Sequence, residues 1–336
     1  MKKEFDVLIL GYYGFGNLGD ELLAEASIVL LRGCGVPTER IAILSASPEK
    51  SAKKFGVRAF NRWKLSSVLK ACSMSRTLLL GGGGLFQDST SIRSCVYYFA
   101  IVLIAKMKGL KVWAEGQSVG PLRSFFARRL AAAALSMCSH ISVRDESSFE
   151  VTSSLGLKAS LIHDLVMSLA PEASGKEHKP IILFNVRPGY ENLSRAAAEK
   201  CRKLAATNGW KVRGIALAEE DAREITKLQS LQCIDIQDII TVHTMAEFSE
   251  AAAGASGAVG MRLHFLVLCR LLGIPALASA YDPKVSGFCK RSGVAMMEDD
   301  ISRFSAYESD VTLSAAYKEI KAVFAEGVRC ALGDKK

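Results

Sequence analysis

Short, unbroken apolar runs, each closed by glycine or polar residues and followed by a stretch of helical period, recur along the chain. Continuous rather than alternating runs mark strands buried on both faces, as in parallel sheets. The first half places such strands at 5–10, 41–44, 77–80, 111–114 and 141–143, with a helix from Asp20 to about Leu31 ended by Gly33. The polar stretch 171–178 reads as a linker. Beyond it the pattern restarts, with strands at 181–186, 211–217, 258–260 and 274–278. Helices fall at 191–206 and 219–228, and a third is opened by the capping box Thr244-x-x-Glu247 and runs to 253. Strand, turn and helix repeated in both halves predict an α/β protein of two Rossmann-like, doubly wound domains facing each other across a cleft. The expected division is an N-terminal domain at 1–170, a linker at 171–178 and a C-terminal domain at 179–305. Residues 306–336 then carry an amphipathic helix, from about Tyr307 to Leu332, that packs back on the first domain. Ligands of such sheets bind outside the carboxyl ends of the strands, so the chemistry is sought in the turns that follow them.

Composition narrows the class of partner. At 336 residues the chain is long enough for two ordinary cores. The formal charge of +9 favours anionic partners. Its basic residues are spread out and no aromatic-rich RNA-binding signature is present, so no nucleic acid is expected. Nine cysteines, odd in number and without C-x-x-C or Cys/His spacing, predict reduced thiols of a cytoplasmic protein and no metal. The longest apolar run, 95–105, is well short of the roughly 20 residues that span a bilayer.

The glycine turns carry the candidate chemistry. Gly11-Tyr-Tyr-Gly-Phe-Gly-Asn-Leu-Gly-Asp-Glu21 contains the letters of a dinucleotide fingerprint at Gly14, Gly16 and Gly19. The second strand, however, ends in Ser45-Ala-Ser47, where a ribose-binding carboxylate belongs, and Asp20-Glu21 occupies the helix start that a pyrophosphate would need. No nicotinamide or flavin is therefore expected. Asp20 is either a first-turn acid matched to the helix dipole or a carboxylate that orients or deprotonates a sugar hydroxyl. Four glycines in Gly81-Gly-Gly-Gly-Leu-Phe-Gln-Asp88 permit close backbone approach, and Gln87 and Asp88 can hydrogen-bond a polyol. A third turn is expected at Gly116-Gln117 and Gly120-Pro121. In Arg123-Ser-Phe-Phe-Ala-Arg-Arg129 the favoured reading is an amphipathic helix with phenylalanine in the core, the other a basic and aromatic membrane contact. Arg144-Asp145 is a structural ion pair or a second anion clamp. His163 and His243 are expected to be structural, His140 and His178 to lie on the surface.

Fixed charge is most concentrated at 260–285. Arg262 and His264 sit at a strand-to-helix turn, and they converge only if the helix begins at or after His264. Asp282 is placed as an N-cap with Pro283 at the first helical position. Lys284 then falls in the first turn, where the helix dipole disfavours a cation. An anion shared by Lys284, the helix start and the Arg262 fork would resolve that conflict.

Gly11-Tyr-Tyr-Gly-x-x-Asn-x-Gly-Asp-Glu21, Gly81-Gly-Gly-Gly-Leu-x-Gln-Asp88, Gly116-Gln-x-x-Gly-Pro121, Arg144-Asp145, Gly260-Met-Arg-Leu-His264 and Tyr281-Asp-Pro-Lys-Val285 together resemble the polysaccharide pyruvyltransferase family. Within it the resemblance is nearest to the bacterial cell-surface type that prepares wall polymers for S-layer anchoring. It implies a glycosyltransferase-B-like fold and transfer of an enolpyruvyl-derived group from phosphoenolpyruvate onto a sugar as a cyclic ketal. The implied product is the 4,6-ketal of N-acetylmannosamine on an undecaprenyl-diphosphate-linked disaccharide, in cell-wall polysaccharide biosynthesis. Carried onto this chain, the resemblance implies four catalytic residues. His264 is the proton donor or phosphate-departure acid, Asp20 the base for the sugar hydroxyl, and Arg262 with Lys284 the holders of the donor's phosphate and carboxylate. Substrate binding is assigned to Arg144, Asn17, Gly81, Gly82, Gly83, Gln87, Asp88, Gln117, Leu263 and Tyr281.

No metal or redox cofactor is implied, phosphoenolpyruvate being a substrate. The expected partners are that donor, a lipid-linked amino-sugar disaccharide and the acidic inner membrane surface; an oligomer is allowed. The expected location is cytoplasmic, peripheral on the cytoplasmic face of the membrane. Two alternatives remain. A nucleotide-sugar glycosyltransferase of the same fold would bind UDP or GDP tightly and grip a ribose with Glu219-Glu-Asp221. A non-catalytic wall-polymer binding protein would tolerate loss of His264.

Overall fold

A computed structural model of the chain describes residues 3–88, 91–169, 179–299 and 311–333. Two compact units divide it. Unit 1 comprises Met1–Gly16, Asp20–Leu169 and Ser314–Lys336, and unit 2 comprises Asn17–Gly19 and Ala170–Leu313. The linker expected at 171–178, with His178, lies outside the described residues, as does Tyr307.

Unit 1 runs β1 (Phe5–Leu10), α1 (Leu18–Gly33), β2 (Ile41–Ser45), α2 (Pro48–Phe55), β3 (Arg58–Asn61), α3 (Leu65–Met74), β4 (Ser75–Leu80), β5 (Gly83–Phe86), α4 (Arg93–Met107), β6 (Lys111–Val119), α5 (Phe125–Ser136), β7 (Cys138–Val143), α6 (Glu146–Ser154) and β8 (Ser160–Leu161). Its strands are parallel in the order β3-β2-β1-β4-β6-β7-β8, with β5 pairing β6 off that path. Every residue of β1 is buried, and Val7 pairs with Ile41 on one side and Thr77 on the other. The chain leaves β1 toward β2 in one direction and returns to β4 in the other, so the strand order reverses beside the carboxyl ends of β1 and β4. That reversal is where doubly wound sheets bind ligands.

In unit 2 come β9 (Lys179–Asn185), α7 (Glu191–Asn208), β10 (Lys211–Ala216), α8 (Glu219–Ser230), β11 (Asp238–Thr241), α9 (Met245–Ala251), β12 (Ala255–Gly260), α10 (Leu263–Leu271), β13 (Ala276–Ala278), α11 (Pro283–Ser292) and β14 (Ala295–Met296). The parallel order is β11-β10-β9-β12-β13-β14, which reverses between β9 and β12. The anticipated Thr244 cap forms, with its hydroxyl accepting from Glu247 N at 3.1 Å. A last helix, α12 (Val311–Leu332), belongs to unit 1 from Ser314 onward. Phe324 meets Trp113 edge-on at 5.5 Å, and His163 pairs with Glu319.

Several local expectations are corrected. Gly116 and Gln117 do not end a strand: β6 continues to Val119 because β5 and β7 pair with it on either side, at Gly83 and Val143 opposite Gln117. Phe125 and Phe126 are not in the core but 66% and 71% exposed. The buried face of α5 is made instead by Ala127, Ala131, Ala134 and Leu135. His140 is not a surface residue. Its side chain is buried against Glu115, Nε2 to Oε1 3.3 Å. Burial pushes the Glu115 carboxyl well above its ordinary range and the His140 imidazole below its own. A Cβ at Gly327 of α12 would overlap that carboxylate oxygen, which is why the helix carries glycine there. Among the described residues no helix is long and apolar enough to cross a membrane.

Candidate active site

In unit 1 the start of the glycine loop after β1, from Gly11, and the Gly81 turn lie side by side, Gly81 N donating to Leu10 O at 2.9 Å. Glycine is needed at 11 and 81 because the Tyr13 ring fills the space a Cβ would take at either. Tyr13 is fully buried and its hydroxyl has no hydrogen-bond partner among the described residues. Burial, and then the charge of Asp20, drives that hydroxyl's pKa well above 10. Asp20 Oδ1 lies 3.3 Å from where a Cβ at Gly83 would stand, and Gly83 takes a positive φ. The glycine run therefore clears room for Tyr13 and Asp20. Gly82 is packed against Leu23. Asn17 Oδ1 accepts from Gly19 N at 3.1 Å at the start of α1. The Gly14 amide, which a dinucleotide phosphate would use, donates instead to Glu21 at 2.7 Å.

Gln117 is fully buried and donates to Leu80 O at 3.0 Å and to Gly81 O, shaping the turn from beneath; its Oε1 has no partner among the described residues. Gln87 is half-buried beside Asp88. Asp88 accepts from Arg123 N at 2.8 Å and Ser124 N at 2.7 Å. Desolvation raises its carboxyl, but those two N–H groups outweigh it and hold the pKa below the usual range. Asp88 thus anchors the approach to α5. Arg144 pairs with Asp164 rather than Asp145, at 2.6 Å, and donates to Ser118 Oγ at 2.8 Å. Asp145 is the N-cap of α6, accepting from Ser148 N at 2.8 Å.

Unit 2 builds its turn at the reversal between β9 and β12. Met261 N donates to Asn185 O and Arg262 N to Asn185 Oδ1, both at 3.1 Å. A Cβ at Gly260 would overlap the Phe265 ring. The helix α10 starts at Leu263, one residue before His264, with Arg262 in the cap position. Leu263 is buried and His264 half-buried. Arg262 spends its fork on Asp221, with Nε 3.0 Å from both carboxylate oxygens, and adds Glu220 at 3.3 Å. Asp221 is completely buried. The conflict at Lys284 is met within the chain: Asp282 accepts from Lys284 N at 3.1 Å and faces its Nζ at 3.4 Å.

The sequence did not single out Arg187, which stands two residues after the end of β9. It donates to Tyr281 OH at 2.9 Å and stacks over Tyr281 at 4.6 Å and Tyr190 at 5.4 Å. Its buried Nε has no partner among the described residues. Among the described residues no carboxylate lies within ion-pair distance of it. The available signal was a cation immediately after a buried strand, but only the strand order shows that this strand borders β12. Arg62 of unit 1, also passed over, is 3% exposed and similarly lacks an acid partner among the described residues. Among the described residues no group of three or more His, Cys, Asp or Glu is placed to hold a metal ion.

The family model described as polysaccharide pyruvyl transferase matches residues 17–283. No curated protein matches by sequence. Solved structures similar to this chain include the UDP-GlcNAc 2-epimerase of Neisseria meningitidis bound to UDP-GlcNAc. It is 13% identical with a TM-score of 0.57, covering 98% of this chain and 96% of that one. The Methanocaldococcus jannaschii UDP-GlcNAc 2-epimerase in complex with UDP-GlcNAc and UDP is 11% identical, TM-score 0.55, covering 100% and 94%. The Rickettsia bellii UDP-N-acetylglucosamine 2-epimerase is 10% identical, TM-score 0.54, covering 98% and 96%. At such identities the likeness is one of fold, that of two Rossmann-like domains in the glycosyltransferase-B manner.

Proposed function

We propose that this chain, which belongs to the polysaccharide pyruvyl transferase family, moves the pyruvyl group of phosphoenolpyruvate onto two hydroxyls of a sugar as a ketal. The favoured acceptor is the N-acetylmannosamine of a lipid-diphosphate-linked disaccharide in wall-polymer synthesis. The methylene carbon of the donor gains a proton and becomes a methyl group. Two C–O bonds form at the central carbon, the bond to phosphate breaks, and hydrogen phosphate carries away the remaining proton. In this proposal unit 2 holds the donor and unit 1 the acceptor.

The observation that carries the donor assignment is the charge at the β9/β12 reversal. Arg187 is a cation with an unspent N–H and no acid partner among the described residues. Lys284 lies in the first turn of α11 and His264 in that of α10, where backbone N–H groups favour anions. His264 serves as the acid, an imidazole being suited to proton transfer near neutral pH. Arg262, tied to Asp221, fixes the start of α10 and so the position of His264. Asp20 acts as base on the sugar hydroxyl, with the Gly81–Gly83 turn leaving it room.

The exposed Phe125 and Phe126 lie among Arg123, Arg128 and Arg129, with Arg129 over the Phe125 ring at 4.9 Å. Basic and aromatic together, they support peripheral binding to an acidic membrane, where a lipid-linked acceptor is found. Of the three acids the nucleotide-sugar alternative would use, Asp221 is buried under Arg262 and Glu220 also meets that guanidinium, which leaves the exposed Glu219 for a ribose.

The test is phosphate release from phosphoenolpyruvate with a synthetic lipid-diphosphate-linked N-acetylmannosaminyl-N-acetylglucosamine, with product mass and His264→Ala as control. Acceptor-dependent phosphate release and a pyruvyl ketal on the sugar are expected, with turnover falling by ~100-fold or more in the variant. Consumption of a UDP- or GDP-sugar in place of phosphoenolpyruvate would replace this reading with the glycosyltransferase one.

A further inference from the structure

We propose that the exposed aromatic group Tyr12, Phe15 and Trp63, set over the buried Arg62 in unit 1, is a stacking subsite for an anionic sugar, a glycosyl phosphate or diphosphate. Tyr12 and Phe15 follow β1 and stack with centroids 4.0 Å apart and planes 7° apart. Trp63 follows β3 and meets Phe15 edge-on at 6.2 Å. The three rings are 44%, 40% and 62% exposed. A contiguous aromatic surface at the carboxyl ends of parallel strands marks a binding position rather than a packing accident.

Beneath the rings lies a charge that the protein has not neutralised. The Arg62 guanidinium stands 5.3 Å from the Phe15 centroid, 5.1 Å from Trp63, 4.7 Å from Tyr97 and 5.7 Å from Tyr98. It donates to Gly11 O and to Tyr98 OH, but its Nε has no partner among the described residues. Among the described residues no carboxylate reaches it. Cation–π contacts offset part of the burial cost, on the order of 1 kcal/mol each. The remaining positive potential acts across a low-dielectric layer on whatever lies upon the rings. A pyranose offers an apolar C–H face to stack and, as a glycosyl phosphate, the negative charge that completes the site.

The surface is held ready. Trp63 N and Lys64 N both donate to Asn61 Oδ1, at 2.8 and 3.2 Å, and Tyr97 OH donates to Arg62 O at 3.1 Å. Pre-ordered rings lower the entropic cost of binding. Tyr98, which accepts from Arg62, also feels the charge of Asp20. The subsite shares the loop after β1 with the base assigned above, Arg62 donating to Gly11 O at its start and Asp20 standing at its end. Its identity as part of the acceptor rests on the proposed pyruvyl transfer; the binding itself does not.

Trp63 reports on its own occupancy, since Trp113 is fully buried and Trp210 half-buried. The experiment titrates N-acetylglucosaminyl diphosphate into the full chain without phosphoenolpyruvate and follows tryptophan fluorescence, with Trp63→Phe as the silent control. A saturable change is expected in the native chain and none in Trp63→Phe. The neutral methyl glycoside should bind ~10-fold or more weakly, and pyrophosphate alone should leave the signal unchanged. In turnover, Trp63→Ala and Tyr12→Ala should raise the acceptor KM by ~10–100-fold with kcat within ~3-fold. No saturable change with the sugar diphosphate, equal affinity for the neutral glycoside, or saturation by uridine monophosphate would each overturn the proposal. A Trp63 response with no phosphoenolpyruvate turnover on any glycan would remove the pyruvyl-transfer reading and leave the subsite standing. Turnover with a silent Trp63 would do the reverse.

Discussion

Each unit sets two arginines beyond the carboxyl ends of its strands, and the two are held in different ways. Arg144 in unit 1 and Arg262 in unit 2 are locked to the carboxylates of Asp164 and Asp221, both buried. Arg62 and Arg187 are instead boxed by rings: Phe15, Trp63, Tyr97 and Tyr98 around the first, Tyr190 and Tyr281 beside the second. A cation matched by a buried carboxylate has spent its hydrogen bonds on the fold. One held by aromatic faces keeps an uncompensated charge and a spare N–H, and so has something to offer an anionic ligand. Conspicuous sequence motifs contain the locked pair; the boxed pair carries the chemistry proposed here.

The largest expected effect separates the two kinds by stability. Arg262→Met leaves Asp221 buried without its partner, and Arg144→Met does the same to Asp164, so each should lose ~3–5 kcal/mol of unfolding free energy in urea. Restoring the balance with Asp221→Leu beside Arg262→Met should recover a large part of that loss. If Arg262→Met unfolds like the native chain, the locked class does not exist as described.

Glu115 sharpens the contrast as a third solution, a buried acid whose carboxyl burial pushes well above its ordinary range. Desolvation raises its folded pKa well above the ordinary 4.5, against the Ser142 hydrogen bond and with help from the Glu326 charge. An acid whose folded pKa is raised contributes most below its unfolded pKa, and the contribution falls as pH rises toward the folded value. Each pH unit above 4.5 therefore costs up to ~1.4 kcal/mol. Glu115→Gln should match the native chain at pH 4.5 and exceed it increasingly toward pH 7, in urea unfolding at each pH. A constant difference across that range would mean that Glu115 is ionised in the folded state.

Smaller effects test the boxed class in unit 2. Tyr281→Phe keeps the ring over Arg187 but removes the hydroxyl it donates to, so the KM for phosphoenolpyruvate should rise by ~3–10-fold with stability within ~1 kcal/mol. Smallest is Asp282→Asn, which retains an N-cap oxygen and removes only the partly exposed pair with Lys284. It should change stability by less than ~1 kcal/mol, seen as a nearly unmoved thermal midpoint.

The strands were legible because parallel strands buried on both faces announce themselves as apolar runs, and the caps Thr244 and Asp282 because capping is local chemistry. Strand order was not, since no local pattern says that Gly11 will lie beside Gly81 or Asn185 beside Met261. The acid partners of Arg144 and Arg262 are 20 and 41 residues away for the same reason. Two misplacements arose from weak local signals. Alanines rather than large side chains make the buried face of α5, so the adjacent phenylalanines looked like its core. His140 shares the period-two face of β7 with Ser142, which points at Glu115, and a polar residue on that face was read as exposed.

Calorimetric titration of phosphoenolpyruvate into Arg187→Met, beside urea unfolding of the same protein, tests the distinction most directly. The boxed arginine should weaken donor binding by ~10-fold or more while the unfolding free energy stays within ~1 kcal/mol of native. Native-like affinity for phosphoenolpyruvate in Arg187→Met would contradict it and return the donor to Arg262 and Lys284.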